Sequence, residues 1–477
     1  MCLIINLLNL ILELIRLFLI VIYSLNKKHN WTFPVVKGNW LIGNTLEFRN
    51  APLATLHRLA TEYGDLVAMP ILHENFIIVN HPDGIREILV SKREDWSRAQ
   101  NLEVPYIRQV VGEGPLTSDG ATWRRLRKAI WPSFRPNVVP NNEAAICQAV
   151  QETLVDWKRF GGKVKDLFPN MLGMTIRITF ASMFASSLDY KKSMKLAEAS
   201  LIGQSAVYER IRSPWGLPAP FPTLNNLAFK QAVGVLESTL EELIARSQKQ
   251  ESQADAIDLW SVMQNHREPE TGAPLCKTEI HSQLFTMLLA APENMAATLT
   301  WTLYLLARHP EIEAKLREEL EVELQGRKPS LAEVRQLKYL NRVLFEVMRL
   351  YPGAPYFDRR AVKDTKICGH SIPKGTIAMI APYTMHRSEK YWKDPEVFNP
   401  DRFQDMREAR KDVYIPFGAG PRRCIGEHFA LITLQLALPM LLGAFKFKQK
   451  NNKPVPIAPA INLRPKGGMR MRFQTLV

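Results

Sequence analysis

The run Phe417-Gly418-Ala419-Gly420-Pro421-Arg422-Arg423-Cys424-Ile425-Gly426 constrains this chain more than any other stretch. It sets one cysteine in a glycine-punctuated turn, with arginines just before it and an apolar, helix-like run from Glu427 to Leu442 just after. Glycine reaches backbone conformations closed to other residues, and it has no side chain to hold a flat group away from the main chain. A helix starting after the cysteine aims its free amides and positive dipole end at the sulfur, and guanidinium groups nearby add to that field. The arrangement suits a thiolate bound to iron beside a flat ligand, with Arg422 placed to meet a carboxylate of that ligand. A buried structural cysteine is the plain alternative.

The same run resembles the Phe-x-x-Gly-x-Arg-x-Cys-x-Gly signature of the cytochrome P-450 superfamily at every fixed position. That resemblance implies a mainly α fold with small β-sheets. It also implies a haem b whose iron takes its axial thiolate from Cys424, with Phe417, Gly418, Arg422 and Gly426 lining the cofactor.

Length and composition bound the rest. At 477 residues the chain is long enough for about two to four domains, yet no Gly/Ser linker, repeat or low-complexity stretch divides it. We therefore expect one haem domain over residues 45–477, behind a membrane anchor over 1–25 and a hinge over 26–44. An apolar fraction of 46% against 23% charged residues describes a packed globule, not a disordered chain. Cys2, Cys147, Cys276, Cys368 and Cys424 show no paired spacing, which argues against a disulfide framework and for a reducing compartment. The net charge of +15 points to an anionic partner. Without a basic recognition helix, an aromatic RNA-binding box or zinc spacing, nucleic acid is set aside. The cations gather at Arg422 and Arg423, at Arg124, Arg125, Arg127 and Lys128, and at Lys446, Lys448, Lys450 and Lys453. They suit an acidic redox protein or an anionic membrane face, beside the blander reading of a solvated basic surface.

Residues Leu3 to Tyr23 are almost entirely Leu, Ile, Val and Phe, about the length of a bilayer-spanning helix. No small-residue cleavage site follows, so a retained signal anchor is expected. Asn6, Asn9, Glu13 and Arg16 form one polar stripe at helical spacing, which leaves a helix lying in the interface as the alternative. Lys27, Lys28 and His29 then place the haem domain on the cytoplasmic side, of the endoplasmic reticulum in a eukaryote or of the inner membrane in a bacterium. Asn30-Trp31-Thr32 has the form of a glycosylation sequon, which the opposite topology would require; its closeness to the span argues for chance.

From Thr278 to His309 the sequence reads as one long apolar helix stopped by Pro310. Pro292-Glu293-Asn294 makes a polar island inside it, next to Ala290 and Ala291. Proline lacks an N–H and clashes with the preceding turn, so a kink or opening is expected there. The stretch resembles the family's central helix, patterned Ala/Gly-Gly-x-Asp/Glu-Thr, which crosses one face of the haem. The match implies haem contacts at Ala290 and Ala291 and catalytic roles for Glu293, Asn294 and Thr298. It also departs from the pattern. Ala291 stands for the usual glycine, and Asn294 stands for the threonine whose hydroxyl helps deliver protons during oxygen activation. An amide donates a hydrogen bond but relays protons poorly, and Thr298, one turn on, is the expected partial substitute. For Glu293 the bland alternative is an acid that only satisfies a kinked backbone.

Other matches complete the resemblance. Ser330 and Glu333 form a capping box at a helix start. Glu346 and Arg349, at helical i to i+3 spacing before Leu350-Tyr351-Pro352, match the family's Glu-x-x-Arg helix, whose third partner is Arg402 of Pro400-Asp401-Arg402-Phe403; this triad is a structural ionic lock. Trp123 and Arg127 share a helical face and match haem propionate contacts, as does Arg359, with Arg360 one residue off as the alternative. By position the substrate walls are 102–116, Leu288 and its neighbours to Asn294, Ala354, Tyr356, Phe357 and 457–461. These imply a hydrophobic, lipid-like substrate, admitted from the membrane past 215–221.

The sequence closes without a flavin or iron–sulfur domain, so electrons are expected from a separate flavoprotein reductase or ferredoxin on the basic face near Cys424. Three functions stand open. The leading one is a monooxygenase that inserts one oxygen atom of O2 into a hydrophobic substrate. The second is an isomerase, lyase or dehydratase that rearranges hydroperoxides without a reductase, a reading that Asn294 favours. The third is a haem-binding protein without catalysis.

Overall fold

Residues 30–476 are described by a computed structural model, apart from 73, 99, 102, 213–222, 250–258, 269–270, 406–411, 452 and 460. The expected anchor, the start of the hinge and the expected membrane-entry stretch 215–221 lie outside the described residues. Helices dominate and the sheets are small. The described residues gather into two compact units, one within residues 30–101, 356–385 and 419–421, the other within 103–355, 386–418 and 422–476.

In the first unit five strands pair in the order Leu66–Ile71, Glu74–Val79, Ile377–Ile380, Phe357–Ala361, Trp96–Ser97. Only the second and third of these run parallel, with Phe76 opposite Ile377. Alternate residues Val67, Met69, Phe76, Ile78, Ile377 and Met379 form one apolar face, which buries Leu56 and Leu59 of the helix Pro52–Tyr63. The period of two along each strand thus meets the helical period across one small core.

The second unit is built from helices. Those that matter below are α1 (Gly120–Ile130), α2 (Leu167–Met183), α3 (Tyr190–Arg212), α4 (Lys277–Arg308), α5 (Lys338–Leu350) and α6 (Glu427–Ala444). Helix α4 is apolar on nearly every side and runs through the core of this unit, as a helix without a polar face must. Cys276 caps it, and the Glu279 carboxylate accepts the Cys276 N–H at 2.9 Å, so the helix begins one residue before the expected start. The expected opening at Pro292 does not form: the helix continues through it. Proline removes only one backbone hydrogen bond, and the buried neighbours Leu288, Glu293 and Met295 pack the helix around the gap. The Thr175 hydroxyl of α2 also donates to the Pro292 carbonyl at 2.8 Å. Among the described residues only α6 is long and apolar enough to cross a membrane, and most of it is buried in this core.

One end of α5 carries a buried ionic cluster. Arg349 donates through Nε and Nη2 to the two Glu346 oxygens at 2.6 and 2.8 Å, and both side chains are fully buried. Arg402 Nε donates to Glu346 Oε1 at 3.0 Å, and the Asn399 N–H adds a bond of 2.9 Å to the same oxygen. Arg349 Nη1 donates to the His386 carbonyl at 2.6 Å. His386 Nε2 accepts the Ile415 N–H at 3.0 Å, so Nδ1 carries the proton and donates to the Arg349 carbonyl at 3.2 Å. The imidazole is thus held neutral, and burial together with the Arg349 cation lowers its pKa to about 3.

Two outcomes follow. Glu346→Gln leaves Arg349 buried without its counter-charge and is expected to destabilise the fold by about 3–5 kcal/mol, read as a fall in chemical denaturation midpoint. For His386 the folded pKa lies below the unfolded value, so the unfolded chain takes up the proton first and stability falls as pH drops from about 6.5 towards about 3. The slope from this group approaches about 1.4 kcal/mol per pH unit, and His386→Asn is expected to flatten the fall in melting temperature between pH 7 and pH 5.

Candidate active site

The cysteine turn is held by its own backbone. The Gly418 N–H donates to the Ile415 carbonyl at 3.0 Å, and the Cys424 N–H donates to the Phe417 carbonyl at 2.9 Å. Gly418 and Gly420 have φ of +72° and +69°, the region that favours glycine. At Gly420 a side chain is excluded outright, because its Cβ would lie 2.0 Å from the Leu89 carbonyl oxygen. Gly426 differs from expectation: it caps α6 with φ −86°, which any residue adopts. Its hydrogen faces the sulfur, and a Cβ there would sit 4.0 Å from Cys424 Sγ.

Cys424 is exposed on the chain, yet protein crowds its sulfur closely enough that desolvation pushes the thiol above its ordinary value. The Gly426 N–H, Arg127 and Arg423 pull the other way, while Glu427 adds to the rise. The helix end and the two arginines thus favour the thiolate, as the sequence suggested, against the cost of desolvation. A bound cation is what reverses this balance, since a coordinating thiol is deprotonated outright.

Helix α1 lies against this turn. Arg127 Nη2 donates to the Arg423 carbonyl at 2.8 Å, and the Arg127 guanidinium sits 5.8 Å from the Trp123 ring. The Arg422 guanidinium also lies over this ring, 4.5 Å from the Trp123 ring centre. Its Nη2 donates to the Ser118 carbonyl at 2.8 Å and pairs with the Asp119 carboxylate. Arg127 is half-buried, and among the described residues no carboxylate lies within ion-pair distance of it. Burial pulls its pKa below the usual arginine value, against the pull of Cys424. A desolvated guanidinium of this kind is a ready site for an anionic group.

In the first unit, Arg360 is taken by Glu74 in a bidentate pair at 2.8 and 3.0 Å. Arg359 is buried, donates to the Asp358 carbonyl at 2.6 Å and lies 5.4 Å from the Phe357 ring. Tyr356 packs edge-on against Phe48 at 5.8 Å.

On α4 the residues around the polar island divide sharply. Leu288, Glu293, Met295 and Thr298 are buried, whereas Ala290 and Asn294, one turn apart, are exposed. Leu288, expected as a pocket wall, belongs to the core. Asn294 Nδ2 donates to the Ala290 carbonyl at 3.2 Å, and a side chain at Gly353 would come within 3.0 Å of Asn294 Oδ1. The Thr298 hydroxyl donates to the Asn294 carbonyl at 3.0 Å, a bond that holds it on its own helix. Ala354, beside Gly353, is exposed.

Glu293 points away from that exposed pair. It is 1% exposed, and Arg464 Nε reaches its Oε1 at 2.5 Å, while Oε2 has no hydrogen-bond partner among the described residues. Desolvation raises its pKa, and the Arg464 cation opposes the rise. Arg464 comes from the strand Leu463–Pro465 and also meets Asn462 Oδ1, Ser205 Oγ and Gln204 Oε1, so one guanidinium joins α4, α3 and the C-terminal hairpin. Sequence reasoning missed Arg464 because it lies 171 residues from Glu293, and no local pattern links them.

These residues fit a haem. A cysteine is exposed just before a helix start, a half-buried arginine has no carboxylate within ion-pair distance among the described residues, and Ala290 and Asn294 are exposed in the largely buried middle of α4. A family model, Cytochrome P-450, matches residues 34–470. The chain is 29% identical to cyclooctatin synthase of Streptomyces melanosporofaciens, over 93% of this chain and 94% of that protein. It is 28% identical to pentalenene oxygenase of Streptomyces avermitilis, over 91% and 95% of the two chains. Similarity to cyclooctat-9-en-7-ol 5-monooxygenase of Streptomyces melanosporofaciens is also 28%, over 89% and 91%.

Arg127→Leu is expected to weaken haem retention roughly ten-fold or more, measured as haem per chain after gel filtration. Arg464→Leu strips the buried Glu293 of its counter-charge, so the carboxyl is expected to take up a proton at neutral pH. Infrared difference spectra of Arg464→Leu against Arg464→Leu/Glu293→Gln should then show the stretch of a protonated carboxylic acid.

Proposed function

This chain belongs to the cytochrome P-450 family, and from that premise we propose a haem-thiolate monooxygenase that oxygenates a hydrophobic substrate with electrons from a separate protein. Cys424 is the thiolate donor in this reading, Trp123 and Arg127 face a propionate, and Ala290 and Asn294 border the oxygen side. When bound, the haem supplies the oxidising power, and a thiolate donor favours O–O cleavage. The chain's own share is to bind and orient the substrate, keep out bulk water and deliver protons. The balance is one O2, two electrons and two protons in, and one oxygen atom in product with one water out.

The exposure of Ala290 and Asn294 on an otherwise buried helix carries this reading. It supports a role for the Asn294 carboxamide as the hydrogen-bond donor on that side, with the acid Glu293 buried and paired with Arg464. Thr298, hydrogen-bonded to the Asn294 carbonyl, is a positioning residue in this reading, since its bond braces the turn that carries the carboxamide. Arg423 is exposed on the turn of Cys424, and Arg124 and Lys128 are exposed on α1, whose Arg127 bonds that turn; these cations support an acidic electron donor. Residues 3–23 support membrane attachment, with the folded chain on the cytoplasmic side.

Asn294 also favours a second reading, a hydroperoxide-rearranging enzyme that needs neither reductase nor proton relay. Turnover under ¹⁸O2 with a reductase and a lipophilic substrate separates the two: labelled product supports the monooxygenase. Rapid anaerobic loss of a fatty-acid hydroperoxide without any reductant, and no labelled product, would establish the second reading in its place. For the monooxygenase, Asn294→Thr is expected to raise the fraction of consumed oxygen recovered in product over that lost as peroxide.

A further inference from the structure

A second group of cations stands apart from the cysteine turn, on a sheet of the second unit. The strand Arg470–Thr475 lies between Phe445–Gln449 and Val164–Asp166 and runs antiparallel to both. One face of this sheet is a buried floor of Phe445, Phe447, Met471 and Phe473. The Phe473 ring meets Trp157 edge-on at 5.1 Å and Phe447 at 5.2 Å, so the floor is stiff. Side chains alternate across a strand, and the opposite face takes the residues in between. These are Lys446, Lys448, Arg470, Arg472 and Gln474, all exposed. Lys450, also exposed, continues the row just past the strand end, where its N–H donates to the Arg470 carbonyl at 3.1 Å.

The register sets like charges side by side, with Arg472 directly opposite Lys448. Like charges so placed destabilise a sheet. The chain does not offset them: among the described residues none of these cations has a carboxylate within ion-pair distance. Asp166, opposite Arg470, is the acid of these strands. Its carboxylate is spent on backbone, accepting the N–H groups of Phe168 and Met469 at 3.3 and 3.0 Å.

We infer that this face docks an extended acidic segment of a partner protein other than the electron donor. Alternate side chains of a strand repeat at about 6.8 Å, and an extended segment with acids at alternate positions has the same repeat. Lys446, Lys448 and Lys450 form one such row, and Arg470 and Arg472 the next. The net charge of +15 attracts an acidic partner and opposes a second copy of this chain. No aromatic or large apolar side chain is exposed on these strands, so the face has nothing to stack on a base or to insert into lipid. It is also remote from the thiol. Helix α6, 18 residues and about 27 Å long, runs between Cys424 and Phe445. A segment bound here leaves the cysteine turn open.

The full haem-loaded chain is placed in nanodiscs of phosphatidylcholine, and a fluorescent peptide of alternating Glu and Ser is titrated in at low salt. Anisotropy gives the affinity, and a zero-length carbodiimide joins bound carboxylates to lysines for peptide mass spectrometry. Adducts at Lys446, Lys448 and Lys450 are expected, with a roughly five-fold or greater loss of affinity in Lys448→Glu/Arg472→Glu. Arg124→Glu/Lys128→Glu, on α1, is expected to leave the affinity within about two-fold. Since the opposed pair repels, the sheet variant is expected to keep its haem and its melting temperature. Should it lose haem, Lys448→Gln/Arg472→Gln decides, with loss of affinity again expected. Affinity unchanged in the sheet variants, or lost only in the α1 variant, would overturn the inference. Lysine adducts that vanish when phosphatidylserine is added to the nanodiscs would make the anionic bilayer the occupant and overturn it too. Tighter binding of a single-stranded oligonucleotide of equal charge would overturn it in favour of nucleic acid.

Discussion

Everything around the cysteine turn depends on one fully buried charge pair. Glu346 and Arg349 lie on the last turns of α5 with no exposed surface, a placement that is stable only when nearly every donor and acceptor is matched. The matching groups come from a single downstream stretch: the carbonyl of His386, the amide of Asn399, the side chain of Arg402 and the carbonyl of Val397. The Tyr414 hydroxyl on the Phe345 carbonyl and the Ile415 amide on His386 carry the stretch onward. Two residues later stands Phe417, whose carbonyl holds the Cys424 amide. The ionic pair therefore does no chemistry. It fixes a long irregular segment that brings a thiol to the mouth of a helix.

That segment explains how legible the site is. Wherever function rests on neighbours in sequence, residue spacing exposes it: the i to i+3 pair on α5, the capping box whose Ser330 N–H meets Glu333 at 2.8 Å, and the glycine run before Cys424. Long-range pairings left no such mark. Arg464 reaches Glu293 through a hairpin at the far end of the chain, and Asp119 takes up Arg422 from the cap of α1. Local rules also failed where packing overrode them. Pro292 is expected to kink or open the helix, yet buried neighbours and one hydroxyl from α2 keep α4 helical through it. Leu288 matched a pocket position by count, but its side of the helix faces the interior.

Desolvation pushes the Cys424 thiol up and pushes Glu293 the same way; the Gly426 N–H and then Arg127 and Arg423 oppose the first, and Arg464 opposes the second. Glu293 and Arg464 form a unit that reaches α3 through Ser205 and Gln204, so any displacement of α3 alters the field at the acid. Asn294, by contrast, stands in the open with one N–H given to Ala290 and its carbonyl oxygen turned to Gly353. In the proposed reading the oxygen side carries a carboxamide in place of a hydroxyl, and the Thr298 hydroxyl is bonded to its own helix.

The central claim is that Cys424 supplies the thiolate of this chain's haem. Its most direct test is the absorption spectrum of the reduced, carbon monoxide-bound holoprotein, recorded for the parent chain and for Cys424→His. The account predicts the red-shifted band of a thiolate-ligated haem in the parent, replaced in the variant by the band of an imidazole-ligated haem. Identical bands in the two proteins would contradict it and assign the ligand to another residue.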